Sequence, residues 1–176
     1  ETHLLKGRYP FVFAFLTLRF AIASACLVPL AAKRLTRRTL IVGGGIGVAL
    51  AMGFFLQTLG LRYTTPTNSG LITGLFVVFT PLCDRVFFGV RPNRLAFLSV
   101  VTGLAGMGLL SGQNPGELRI GDALTFGCAA VFGLHIALLS RYAREHDPTT
   151  LTFVQMLTCA VLFALAWFAF EPVVAP

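Results

Sequence analysis

Six polar side chains set within or beside long apolar runs carry most of the chemistry this sequence offers: Arg19, Gln57, Asn68, Thr73, His135 and Gln155. On a helix of 1.5 Å rise per residue, Arg19 lies about eight residues and roughly 12 Å into its run. A charge at that depth in hydrocarbon costs on the order of 3 kcal/mol, so it is expected to face a cavity or a partner. Gln57 and Asn68, near the ends of consecutive runs, can bond between helices or hold a polar ligand. Gly70, Thr73, Val77, Thr80 and Asp84 follow one another at three- or four-residue spacing, which predicts one polar stripe on a helix. Pro81 within it removes a backbone donor and predicts a kink there. His135 can pack as a neutral hydrogen-bonding group or relay a proton, and Gln155 is the single amide of the last run.

The same residues argue against several chemistries. There is no HExxH, no GxSxG and no pair of acids on one helix face. Gly43-Gly44-Gly45-Ile46-Gly47 lacks the Lys-Ser/Thr of a phosphate loop and opens an apolar run, so it reads as helix packing. The cysteines Cys26, Cys83, Cys128 and Cys159 stand singly, without metal-ligand spacing, and read as reduced packing residues. No catalytic, metal or cofactor site is expected.

The elements that position these groups are membrane helices. Of 176 residues, 56% are hydrophobic and 12% charged, too little charge to coat a soluble domain. The apolar residues form blocks near the roughly 20 residues that span hydrocarbon. Bounding charges and turn residues predict six spans: Phe11–Ala32, Leu40–Leu61, Pro66–Gly89, Leu95–Gly112, Gly121–Ser140 and Thr149–Phe170. Thr64 or Thr65 before Pro66 has the form of a helix start. The fold class is therefore all-α, a polytopic membrane helix bundle. Its short connections make neighbouring helices antiparallel and leave no room for a soluble domain.

The net charge of +7 is explained by the loops rather than by nucleic-acid binding. Loops 33–39, 90–94 and 141–148 must share one side and carry Lys33, Arg34, Arg37, Arg38, Arg91, Arg94, Arg141 and Arg144. The other side carries Lys6, Arg8, Arg62 and Arg119. Eight against four assigns the first set to the cytoplasm of a cell (inner) membrane. Asp84 and Arg85 lie within reach of that interface. Gly43 with Gly47, Gly70 with Gly74 and Gly108 with Gly112 predict close helix approach at four-residue spacing.

The segment Phe15–Ala21 lines up weakly with Leu151–Leu157, setting Arg19 against Gln155. That register predicts a five-helix repeat, and an odd number of helices requires the two copies to be inverted. It divides the chain into a first repeat without its first helix (1–112), an external loop (113–120) and the first two helices of a second repeat (121–176). With no initiating Met and an end just past an apolar run, the chain is expected to be a fragment.

Leu18-Arg19-Phe20, the run Gly60-Leu61-Arg62-Tyr63-Thr64-Thr65-Pro66-Thr67-Asn68-Ser69-Gly70-Leu71-Ile72, Phe79-Thr80-Pro81-Leu82, the Gly103–Leu110 segment and Gly121-Asp122-Ala123-Leu124 together resemble the EamA-type proteins of the drug/metabolite transporter superfamily. The resemblance covers nearly the whole chain. It implies ten helices in two inverted repeats and movement of small metabolites or drugs through a central cavity by alternating access, as in an amino acid or metabolite exporter-like permease. Gln155 falls where the second repeat often has a Gln. Many relatives carry a Glu in the loop after the Pro-containing span, and Val90-Arg91-Pro92-Asn93-Arg94 has none, which removes any mechanism resting on that Glu. The expected function is transmembrane transport rather than catalysis, with Arg19, Gln57, Asn68, Thr73, His135 and Gln155 as substrate-binding residues. The expected partners are a small-molecule substrate and the lipid bilayer, with a homodimer admitted and no nucleic acid. The competing reading, a membrane-embedded enzyme acting on lipid, would draw on Asp84, His135 and Asp147, whose depths disagree.

Overall fold

In the computed structural model, residues 12–31, 34–90, 94–110 and 120–170 are described. They form seven helices: α1 (Val12–Ala31), α2 (Arg37–Gly60), α3 (Pro66–Thr73), α4 (Phe76–Phe88), α5 (Arg94–Leu110), α6 (Ile120–Tyr142) and α7 (Pro148–Phe170). No strand occurs among the described residues. Five stretches are long and apolar enough to cross a membrane, namely α1, α2, α3 and α4 taken together, α6 and α7. The 17 described residues of α5 span about 25 Å, just under the roughly 30 Å of a hydrocarbon core. Gly112, where the sequence predicts that span to end, lies outside the described residues. The chain is thus an all-α, multi-pass membrane protein.

The predicted third span is interrupted, and not where its proline would place the break. Gly74 and Leu75 form a turn between α3 and α4. There the Leu75 and Val78 amides donate to carbonyls three residues back, Ile72 (3.0 Å) and Leu75 (2.8 Å). This is a local tightening of the helix. Pro81 sits within α4. Its missing N–H leaves the Val77 carbonyl without its usual donor, and the chain adjusts one turn and more upstream. The predicted stripe is split as a result: Thr73 is half-buried, whereas Gly70 and Val77 are exposed.

The residues divide into two compact units. The first unit holds α1, the start of α2 to Ala51, and α7. Leu16, Phe20 and Ser24, one helical turn apart, form the buried stripe of α1. Phe20 stacks on Phe163 of α7 at 5.8 Å between ring centroids. Gly43 and Gly47 let α2 approach α7 as the sequence predicts: a Cβ at either would lie 2.8 Å from the Cβ of Val154 or Thr158. Outward-facing Phe15, Leu18 and Ile22 are exposed, the arrangement of a helix bathed in lipid. The Arg34–Asp147 and Arg38–Glu145 ion pairs, both 2.8 Å, join the α1–α2 and α6–α7 connections. Those two loops therefore share one side, as antiparallel spans require.

The second unit holds α2 from Met52, then α3, α4, α5 and α6 to Arg141. Its closest backbone-to-backbone approach among the described residues is at the α2–α3 turn. A Cβ on Gly121 would lie 2.6 Å from the Gly60 carbonyl oxygen and 2.7 Å from the Thr64 nitrogen. Only glycine permits this backbone-to-backbone contact. Gly133 likewise receives the Phe79–Thr80 backbone, and Gly53 receives the Phe132 ring. The predicted Gly70–Gly74 pair makes no such approach, since a Cβ at Gly70 would meet nothing within 4 Å.

Candidate functional site

Gln57 and Thr73 come together within the second unit. The Gln57 amide, in the last turn of α2, donates to Thr73 Oγ1 at the end of α3 across 3.2 Å. Having accepted that bond, the Thr73 hydroxyl keeps its own proton to donate, and the Cys128 sulfur is a neighbour that can accept it. The Cys128 thiol of α6 adjoins the Thr73 hydroxyl and the Gln57 backbone, so three elements converge on one small polar cluster. Ser69 stands one turn before Thr73 on the same face of α3. Its residue is 1% exposed, and its Oγ, shielded from solvent, has no hydrogen-bond partner. A buried hydroxyl left unbonded costs on the order of 1–3 kcal/mol. The Gly74–Leu75 turn follows Thr73 directly, so the cluster is anchored at a point where the helix ladder is already irregular.

The entry to α3 is rigidly specified. Thr65 is the N-cap, with its side chain accepting from the Asn68 amide at 3.2 Å, and Pro66 occupies the first turn. Thr64 donates to Asp122, an acid in the first turn of α6, where the helix dipole favours negative charge. Together with the Gly60–Gly121 approach, this bond fixes the register of α3, and with it Ser69 and Thr73, against α6.

The other predicted site residues are placed differently. Asn68 is exposed near the start of α3. His135 is buried in α6, 6% exposed. Both lie in the second unit, and the Asn68 backbone amide is bonded to Thr65 Oγ1. In the first unit, Arg19 is exposed on α1, its guanidinium 5.7 Å from the centroid of the neighbouring Phe20 ring. Gln155, 2% exposed, donates to the Leu151 carbonyl of its own helix at 3.2 Å. Arg19 and Gln155 do not share the setting that their alignment predicts. The buried positions of α1 (Leu16, Phe20, Ser24) instead match Leu151, Gln155 and Cys159 of α7, a register one residue away.

Sequence reasoning missed Cys128 and Ser69 as members of the cluster. The first read as packing, and the second was only one residue of the run that carries the family resemblance. Spacing offered one signal, since Ser69 precedes Thr73 by four residues and must share its face. Nothing local marked Cys128, because its neighbours come from α2 and α3. Among the described residues, no three His, Cys, Asp or Glu side chains are grouped to hold a metal.

Residues 3–112 match the family described as the EamA-like transporter family. The chain is 36% identical over 152 residues to an uncharacterized transporter of Archaeoglobus fulgidus, covering 86% of this chain and 47% of that protein. It is 27% identical to the uncharacterized transporter YyaM of Bacillus subtilis, covering 76% of this chain and 45% of the relative. A protein of Ancylobacter novellus named aromatic amino acid exporter YddG is 27% identical, with 91% and 65% covered. The chain thus spans about half the length of the first two relatives and 65% of the third. No solved structure matches it.

Proposed function

The chain belongs to the EamA-like transporter family, and from that premise we propose that it moves a small organic metabolite across the membrane by alternating access, using the Gln57–Thr73 cluster to hold the substrate's polar group. The observation that carries this reading is the buried, unpartnered Ser69 hydroxyl one turn from a hydrogen-bonded Thr73. A substrate carbonyl or carboxylate oxygen would accept from both hydroxyls, and Asn68 would meet it nearer the end of the helix. The cluster carries no formal charge, so it suits a neutral or zwitterionic group better than a bare ion. The turn at Gly74–Leu75 supplies the place where α3 can bend as the substrate enters and leaves.

Arg19, His135 and Gln155 take supporting parts in this scheme. Gln155 already bonds its own helix, His135 is packed within α6, and Arg19 lies against Phe20. Residues 1–112 and 121–176 belong to successive inverted repeats, and loops 33–39, 90–94 and 141–148 face the cytoplasm. The name of the Ancylobacter relative makes aromatic amino acids the first substrates to try.

The test is transport by the purified protein reconstituted in vesicles, with a panel of amino acids and neutral metabolites. Ser69→Ala and Thr73→Val are expected to lower the rate about tenfold, equivalent to one lost hydrogen bond of roughly 1.4 kcal/mol. Unchanged transport in both variants, at wild-type yield and monodispersity, would remove the cluster from the substrate path.

A further inference from the structure

One end of the second unit gathers basic side chains that no carboxylate among the described residues neutralises. Arg85 lies in the last turn of α4, Arg94 is the first residue of α5, and Arg141 lies in the last turn of α6. All three are exposed, and none forms an ion pair with a described residue. The Arg141 guanidinium stands over the Phe88 ring, 6.0 Å from its centroid. Phe88 follows Arg85 by three residues on α4, which draws the two arginines to neighbouring positions. Gly89, at φ 65°, closes α4, and its own and the Val90 amide donate to the Arg85 and Asp84 carbonyls. This cap holds Arg85 in a defined last turn. The one acid beside it is Asp84, half-buried and unpaired with any of the three.

Two features choose the partner. Arg94 stands at a helix N-terminus, where the dipole is already positive, so the position is disfavoured until an anion arrives. The arginines are also interleaved with exposed apolar side chains, Val86 and Phe87 on α4 and Leu95 and Phe97 on α5. A soluble anion would use only the charges, whereas a lipid uses both, phosphate against guanidinium and acyl chain against Phe87 and Leu95. We propose that this end of the second unit binds an anionic phospholipid, with Arg85, Arg94 and Arg141 on the headgroup. Arg141 is pre-ordered by its stacking on Phe88, which leaves its N–H edge free to donate. The arginines Arg34 and Arg38 of the first unit are ion-paired and take no part.

The test compares the purified protein in nanodiscs of phosphatidylcholine with and without phosphatidylglycerol, reading retained lipid by native mass spectrometry and melting temperature alongside. Wild type is expected to retain phosphatidylglycerol, with about fivefold weaker retention for each arginine changed to Gln. The Arg→Lys versions should keep most of it. Arg34→Gln with Arg38→Gln should leave retention unchanged, so a general loss of positive charge is distinguishable from loss of the site. Full retention by the triple Arg→Gln variant would overturn the proposal. Equal stabilisation by inorganic phosphate in phosphatidylcholine discs would also overturn it in favour of a free-anion site.

Discussion

Both units of this bundle satisfy polar side chains locally and across elements, and they differ in which groups make the cross-element bonds. In the first, Ser24, Gln155 and Thr158 bond their own helix, while Thr39 bonds His146 and Cys159 bonds the Gly47 carbonyl across elements. In the second, Thr58, Thr80 and Thr125 bond their own helix, while Gln57 bonds Thr73 and Thr64 bonds Asp122 across elements. Charges at the helix ends divide likewise. Arg34 and Arg38 are paired with Asp147 and Glu145, whereas Arg85, Arg94 and Arg141 have no such partners. Local bonding satisfies a polar group whatever its neighbours do, so it suits packing. Cross-element bonding makes a polar group depend on tertiary geometry, and a ligand can compete for it.

Glycine contacts give the comparison its largest handle. Gly121→Ala drives a methyl into the backbone at Gly60 and Thr64, which cannot rotate away, and is expected to cost about 2 kcal/mol. Gly47→Ala meets the Thr158 side chain instead, where a small helix shift relieves it, at about 1 kcal/mol. Gly45→Ala meets nothing within 4 Å and should be neutral. Melting temperatures in detergent rank the three, and an equal loss at Gly47 and Gly121 would erase the distinction between side-chain and backbone contact.

The second handle separates binding from packing. Gln57→Leu is expected to lower transport about tenfold, while Gln155→Leu leaves the rate near wild type and takes roughly 1 kcal/mol from stability. The reverse pattern would move the substrate path into the first unit.

The smallest effect concerns the charged clasp of the first unit. The Thr150 amide and hydroxyl, then Arg34, hold the Asp147 carboxyl below its ordinary value. A depressed folded-state pKa contributes stability that is present above the ordinary carboxylate range and lost as pH falls through the lowered value. Arg34 is 70% exposed, so solvent screens the pair and its contribution is small. Melting temperature should fall slightly more steeply towards acid in wild type than in Asp147→Asn, and identical slopes would show that the clasp holds nothing.

How far the residues could be read in advance follows from what each statement depends on. The spans were legible because crossing hydrocarbon demands length and apolarity, both local properties. Gly43 and Gly47 were legible as a packing pair, since two small residues one turn apart have a recurrent use in lipid. Gly70 and Gly74 have the same spacing yet pack on nothing, because the helix turns at Gly74. Arg19 and Gln155 looked equivalent in a linear alignment, but the buried stripes of α1 and α7 differ from it by one residue, and one residue on a helix is a rotation of about 100°.

By itself the sequence determined that this chain is a multi-pass helical membrane protein, roughly where each span begins and ends, and that Arg19, Gln57, Asn68, Thr73, His135 and Gln155 were worth watching. Only the tertiary structure decided that Gln57 meets Thr73, that Ser69 and Cys128 join them, that α3 breaks before Pro81, and which arginines are paired. The physical reason is range. Partition into hydrocarbon acts residue by residue along one helix, whereas a hydrogen bond of about 3 Å between helices depends on the register and rotation of both.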